Sequence, residues 1–500
     1  MKIFNRLVLL LVLNIWCIQS YAQFKLSGKI LDYDGKAELK INIPLVFGFY
    51  KENSVQIPVE KDGSFNIVLP IKESKFANLI YKRTFHTLLL NPNKTLTTNL
   101  KDTTLTLISG IALPENNVMQ KVNVEEYPFF FKNDGGNEFS NLSFLQLKEQ
   151  VLNPYFTQRD EKIKIVNAST IAAKYKLLIV TELKSIAYNY INDYARTQVS
   201  NKRVVDSLIL QVFDRADLKP LTFPAGPQYF AFVDNYIRFL ETKAFVKIKA
   251  EQIPSNQPIP YFGISLDSAN VIVKKFDKNY WRWIGATHNF PLNIVEKYTY
   301  QQLVNLYNNK ELRPFKGLSS AFNNQFPQSI HYQDILSKTN SLHKMLSENE
   351  TNANIQIATG FEKLNSIAEL IQSYKGKVVY LDIWGTWCGP CKEELAFIPE
   401  LKTRFKGKDV VFIYLDMDEE DKDSSWREFI KINKMEGIHL RKNRQTIAPI
   451  WKELLANAKD KAEYYPQYFI FDKDGKLAVT KALRPSSKEA LYTQLENYLK

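Results

Sequence analysis

Cysteine is scarce in this chain. Three in 500 residues exclude a scaffold stapled together by disulfides. No apolar run is long enough to span a bilayer: the longest, Leu7 to Ile18, is broken by Asn14 and would rise only about 18 Å as a helix, against a hydrocarbon core of about 30 Å. That excludes a polytopic membrane protein. Basic residues outnumber acidic ones, 66 to 53, for a formal charge of +13. Yet Lys and Arg are spread along the whole chain, which argues against a nucleic-acid partner and leaves a general attraction to anionic membrane surfaces. His288, His331 and His343 stand singly with no metal-ligand spacing, and no fixed repeat marks a solenoid. What is present is ordinary for globular proteins: 45% apolar and 24% charged residues, in a length that suits two to four domains of roughly 100–200 residues.

Residues 1–22 read as an export leader. Lys2 and Arg6 precede the apolar run, and Ser20-Tyr21-Ala22 supplies the small-x-small pattern of a signal-peptidase site. Cleavage predicts a mature chain starting at Gln23, with no transmembrane segment, in the periplasm or cell envelope; the competing reading is an uncleaved N-terminal anchor. Bulky Trp16 before Cys17 argues against lipidation. Loss of the leader leaves 64 basic residues against the same 53 acids, and two cysteines, Cys388 and Cys391. An oxidising compartment penalises unpaired thiols. That the two remaining thiols lie three positions apart points to one redox-active pair.

The mature chain changes texture twice. Residues 23–112 predict an antiparallel β-sandwich-like domain: Phe24–Ile30 alternates, Asp34-Gly35, Asp62-Gly63 and Asn91-Pro92-Asn93 signal turns, and threonine is dense from Thr95 to Thr106. Residues 113–350 predict a helical region of unassigned role, with helical spacing over 171–196, 229–246, 268–276 and 294–307. Prolines at 220, 224, 227, 254, 258, 260 and 291 are expected to break it into short helices. Its many aromatics suit packing between helices. Residues 351–500 alternate strand and helix, predicting an α/β layout with a mixed sheet. Val378–Trp384 reads as a central buried strand, Cys391–Arg404 as a helix, Val410–Met417 as a second strand, Ser424–Asn433 and Ile447–Leu455 as helices, and Tyr468–Asp472 with Leu477–Thr480 as a hairpin before a terminal helix. The acidic stretch Asp416–Asp423 lacks the glycine of a calcium loop and reads as a solvated turn.

The chemistry concentrates at Trp387-Cys388-Gly389-Pro390-Cys391. A Cys-x-x-Cys that follows a buried strand and opens a helix sets the first sulfur among unpaired N–H groups with a partial positive potential. A thiolate at Cys388 is stabilised there, below the free value of about 8.5. An exposed Cys388 sulfur would attack a foreign disulfide, and Cys391, one turn inward, would resolve the mixed disulfide. Pro390 falls in the first turn, where its missing donor costs little. A zinc site would need two further ligands, and no other cysteine remains.

Asp382-Ile-Trp384-Gly-Thr-Trp387-Cys388-Gly-Pro-Cys391-Lys resembles the active-site strand and helix of the thioredoxin superfamily. The wider stretch from Lys375-Gly-Lys377 through Glu394 is similar to exported TlpA/ResA-like thiol-disulfide oxidoreductases. Tyr465-Pro466, Asp472-Lys-Asp-Gly475 and Arg484-Pro485-Ser486 extend the resemblance over about 355–500. The front end resembles the β-rich N-terminal domains attached to some exported relatives.

The resemblance implies a thioredoxin-like fold, a mixed sheet flanked by helices, over 351–500. It implies Cys388 as nucleophile, Cys391 as resolving thiol and Asp382 as the buried acid beneath them. It also implies Trp384 as packing, Trp387 as a shield over the sulfurs, and Pro466 as a cis-proline whose preceding backbone at Tyr465 meets substrate. The Gly389-Pro390 dipeptide resembles that of the reducing members. The expected function is therefore reduction of disulfides in exported client proteins, with the Cys388–Cys391 disulfide in place of any cofactor and a membrane-embedded thiol donor as electron source. The competing readings are an interaction or redox-sensing protein whose first 350 residues bind a cell-envelope partner, and a thiol peroxidase, whose Pro-x-x-x-Thr-x-x-Cys pattern is missing here. Three departures stand out. Ala396 replaces the usual kinking proline, Val410–Met417 carries no lysine for Asp382, and Tyr465 is bulkier than the residue usual before the cis-proline.

Overall fold

The structure, a computed structural model, describes residues 22–131, 137–218 and 225–500. The leader expected at 1–22 lies, but for Ala22, outside the described residues. Two compact units divide the chain at Gln301–Gln302.

The first unit begins with eight strands in two four-stranded sheets. β1 (Phe24–Ile30), β4 (Ser64–Leu69), β7 (Thr95–Lys101) and β8 (Thr104–Ser109) form one, in the order β4-β1-β7-β8. β2 (Leu39–Asn42), β3 (Ser54–Ile57), β5 (Lys75–Tyr81) and β6 (Thr84–Leu90) form the other, in the order β3-β2-β5-β6. Alternate residues such as Phe24, Leu26, Leu79, Leu96 and Leu100 bury one face of each sheet in a shared core, the two-residue period of a sandwich. One expectation needs correction. The sandwich is not wholly antiparallel, because β1 runs parallel to β7, with Lys25 opposite Thr95. The long stretch between these strands permits a parallel pairing that no tight hairpin allows. Asp34-Gly35 accordingly turns the chain from one sheet to the other rather than closing a hairpin.

Helices follow: α1 (Leu113–Lys121), α2 (Asn153–Ala168), α3 (Ala173–Thr197), α4 (Lys202–Asp214), α5 (Pro227–Glu251), α6 (Leu266–Asn289) and α7 (Leu292–Asn308). They are longer than expected, with α3 and α5 at 25 residues each. The described prolines bound the helices instead of dividing them: Pro227 opens α5, and Pro254, Pro258, Pro260 and Pro291 fall between helices. At a helix start the missing N–H leaves no hydrogen bond unmade.

The second unit carries the cysteines. It starts some fifty residues before the pattern of alternating strand and helix does, with α8 (Leu312–Gln325) and α9 (Tyr332–Glu348). Its sheet has β9 (Ile355–Ile357), β10 (Val378–Trp384), β11 (Val410–Asp416), β12 (Gly437–Arg441), β13 (Gln467–Phe471) and β14 (Leu477–Thr480), ordered β14-β13-β10-β11-β12-β9. β10 is central and buried at every position, parallel to β11 and antiparallel to β13. Its residues alternate between two cores. Val379, Leu381 and Ile383 join the cysteines on one face; Val378 and Tyr380 pack with Ile398, Leu401 and Leu491 on the other. Flanking helices are α10 (Ile367–Gln372), α11 (Gly389–Glu394), α12 (Ile398–Arg404), α13 (Asp423–Ile432), α14 (Ala448–Leu454) and α15 (Glu489–Glu496). The single helix expected over 391–404 is split by a tighter turn at Leu395–Phe397, with Pro399 in the first turn of α12.

Candidate active site

β10 delivers the chain to the site. Beyond Trp384, Gly385 lets the Trp387 indole fold back over the backbone: a Cβ at Gly385 would sit 2.7 Å from the indole nitrogen. The N–H of Cys388 donates to the Gly385 carbonyl at 3.0 Å and closes the turn. Cys388 is then the N-cap of α11, its sulfur accepting the N–H of Cys391 at 3.2 Å. The two cysteines form a disulfide with their Cα atoms 5.3 Å apart. Here the structure corrects an expectation. Cys388 is no more open than its partner, at 4% exposure against 3%. Both sulfurs belong to the apolar core on that face of the sheet, so what distinguishes Cys388 is its place at the helix cap, not its access to solvent.

Asp382 lies two residues before the end of β10, flanked across the sheet by Tyr414 on β11 and Tyr468 on β13. It is buried, and its Oδ1 has no hydrogen-bond partner among the described residues. Desolvation pushes its carboxyl well above the ordinary range, and the nearby carboxylate of Glu394 adds to the rise. No lysine of β11 faces it. Glu394 is itself buried and is held by the loop before the last helix, accepting from the Ser486 N–H at 2.8 Å and from its hydroxyl at 2.9 Å.

The aromatic positions divide by burial. Trp384 is buried against Phe429, ring centres 5.6 Å apart. Trp387 is 49% exposed, meets Tyr465 edge-on at 5.4 Å and carries the Arg444 guanidinium 5.3 Å above its ring. The Tyr465–Pro466 peptide is cis, and Tyr465 also meets Trp451 edge-on at 5.9 Å. Gly389 has no neighbour that a Cβ would strike, and Pro390 sits in the first turn of α11.

Two groups around the site escaped the sequence reading. The first is an acidic network on the Asp416–Asp423 stretch, whose leading acids are buried rather than solvated. Asp418 accepts from the Thr386 N–H at 3.1 Å and also from its hydroxyl. Asp416 accepts from the Asp418 N–H at 3.0 Å, while Arg441 donates to the Asp418 carbonyl and pairs with Glu420 at 2.9 Å. Burial raises the Asp416 carboxyl well above its usual range, the adjacent Asp418 adding to it. The signal was there: Asp416 closes the apolar run Val410–Leu415, whose second half is buried, and burial carries on to the strand's end. The second is Lys392, next to Cys391, which pairs with Glu311 at the start of α8 at 2.7 Å. No motif announces a partner 81 positions away.

A parallel–antiparallel sheet built around a Cys-capped helix, with a cis-proline leading into the neighbouring strand, defines a thioredoxin-like domain. The Redoxin family matches residues 363–495. The chain is 33% identical over 131 residues to the thiol-disulfide oxidoreductase ResA of Bacillus thuringiensis subsp. konkukian, which is 26% of this chain and 66% of that protein. It is also 41% identical over 51 residues to thioredoxin-1 of Caenorhabditis elegans, 10% of this chain and 43% of that one. Among solved structures, the thioredoxin domain of a thiol-disulfide oxidoreductase from Bacteroides vulgatus is similar at 22% identity, covering 26% of this chain and 84% of that chain with a TM-score of 0.21. The strand order, not that score, defines the fold. The C-terminal domain is a TlpA/ResA-like member of the thioredoxin superfamily. The chain spans just under two thirds of the ResA relative's length.

Proposed function

We propose that the protein is an exported thiol-disulfide oxidoreductase that reduces disulfides in other proteins of the periplasm or cell envelope. The observation that carries this reading is the Cys388–Cys391 disulfide at the cap of α11. The Cys388 thiolate attacks one sulfur of a client disulfide, breaking that bond and forming a mixed disulfide. Cys391 passes its proton through water to Asp382 in those molecules whose carboxyl is ionised, and burial, by raising that group's affinity for protons, suits it to the task near neutral pH. The Cys391 thiolate then attacks the Cys388 sulfur and releases the client's second thiol. Two electrons have passed to the client, and the pair ends oxidised. A membrane-embedded thiol donor supplies the electrons that reduce it again.

Trp387, Tyr465 and Pro466 form the client-facing rim in this reading, and Trp384 and the Gly389-Pro390 dipeptide hold the site. The dipeptide carries no charge to stabilise the thiolate, which favours the reducing direction. Reduction of insulin disulfides by the intact protein, lost in Cys388→Ser, is the test. Activity that persists in Cys388→Ser overturns the mechanism, and inactivity of both proteins favours a redox sensor. Cys391→Ser should accumulate mixed disulfides with the physiological clients. A reduction potential near about −120 mV, the strongly oxidising end of the scale, would reverse the assigned direction.

A further inference from the structure

The first unit holds a cavity of about 520 Å³, a size typical of small-molecule sites. Strands β5 and β6, helix α3 and the N-terminal end of α5 wall it in. Glu182, Ile186, Asn189 and Asp193 line it at the spacing of one helical face of α3, and Glu125 adds a third carboxyl from the segment after α1. Among the described residues no lysine or arginine lines it, although the chain as a whole is strongly basic.

Glu182 is the unusual group. It is 2% exposed and caps the start of α5: Oε1 accepts the Gln228 N–H at 3.1 Å, and the Tyr229 backbone N–H also bonds the carboxylate. Oε2 has no hydrogen-bond partner among the described residues. Gly226 makes room for it, since a Cβ there would lie 2.3 Å from Oε2. A buried oxygen left unpaired is costly, so capping α5 leaves Oε2 without an explanation. Burial raises Glu182 to about 8, and desolvation lifts Asp193 as well, against a side-chain hydrogen bond from Asn192 and the charges of Arg238 and Arg196. A positive charge in the cavity offsets both penalties.

Phe76, Phe85 and Tyr190 complete the wall. Aromatic faces beside carboxylates suit an alkylammonium group, which takes cation–π contact along with ion pairing. A metal ion fits poorly. Among the described residues no three His, Cys, Asp or Glu side chains converge as metal ligands, and the space far exceeds one ion. Three carboxyls around a partly apolar space match several positive charges joined by methylene links.

We infer that this cavity is a binding site for an aliphatic polyamine, with Glu182, Asp193 and Glu125 as its ion-pairing groups. The inference is independent of the thiol chemistry. Calorimetric titration of the full-length protein with spermidine and with putrescine tests it. Saturable binding at one site is expected, weakened at least tenfold by Glu182→Gln, which keeps an oxygen to accept the Gln228 N–H, and likewise by Asp193→Asn. Should Glu182→Gln fail to fold by circular dichroism, Asp193→Asn carries the comparison alone. Absence of saturable binding overturns the inference, as does binding that both variants leave unchanged. A lysine-containing peptide that binds where both free amines do not would overturn the polyamine assignment in favour of a partner's lysine side chain.

Discussion

Glu311, at the head of α8, holds Lys392 at 2.7 Å, one residue beyond the inner cysteine. A helix that sequence pattern assigns to a separate region thus neutralises the cation next to Cys391 in the chain. Both side chains are partly shielded, so the pair is worth somewhat more than a fully exposed one, whose typical range is about 0–1 kcal/mol. Glu311→Gln frees the Lys392 charge to favour a thiolate in the reduced protein. Alkylation of Cys388 by iodoacetamide at pH 6 to 7 should quicken about two- to threefold. An unchanged rate would mean that the pair only holds structure.

Asp382 gives opposite effects on stability and turnover. Its carboxyl keeps its proton in the folded protein at pH values where the unfolded chain has lost it. The unfolded state therefore binds fewer protons, and stability falls as pH rises from about 4. Asp382→Asn removes that penalty. Thermal denaturation should show the variant more stable at pH 7 to 8, by on the order of 1–3 kcal/mol, with the difference closing near pH 4. Insulin reduction by the same variant should fall about tenfold or more, because the resolving thiol loses its proton acceptor.

His439 sets an acid limit. It is fully buried on β12, stacked on Tyr414 with ring centres 4.9 Å apart, and burial lowers it to about 4. The unfolded chain takes up a proton below about 6.5 while the folded protein does not. Stability is therefore intact above that value and declines as pH falls toward 4, by about 3 kcal/mol in all. Chemical denaturation at pH 7, 5.5 and 4.5 should trace that decline, and His439→Phe should flatten it.

The turn before Cys388 hangs on Asp418, which receives both the N–H and the hydroxyl of Thr386. Asp418→Ala should cost about 1–3 kcal/mol and shift the potential measured against glutathione, because the turn that places the nucleophile loosens. Asp418→Asn, which retains an acceptor oxygen, should recover part of both effects.

Much of the site could be read from the order of residues. Cys388 and Cys391 announced themselves by being the last two thiols once the expected leader is set aside, and Val378–Trp384 by an unbroken apolar run. Long-range partners could not be read this way. Glu311 meets Lys392, Glu394 meets Ser486 and Glu182 meets Gln228 across 46 to 92 positions, and nothing local marks a carboxylate as bound for burial. The parallel pairing of β1 with β7 was hidden for the same reason, since alternation gives a strand's faces but not its neighbour. The burial of Cys388 was hidden too. Helix-cap logic places a sulfur at the end of a helix and says nothing of what stands over it.

The first lath of the second unit's sheet comes from ahead of the matched family region. Ile355–Ile357 lies along β12, with the Gly437 N–H donating to Asn354 at 2.7 Å and the Ala358 N–H to His439 at 2.9 Å. Trimming the protein to residues 363–495 strips that border away. The raw backbone rim left at 437–439 would recruit foreign strands, so a well-behaved minimal redox fragment has to reach back past residue 354.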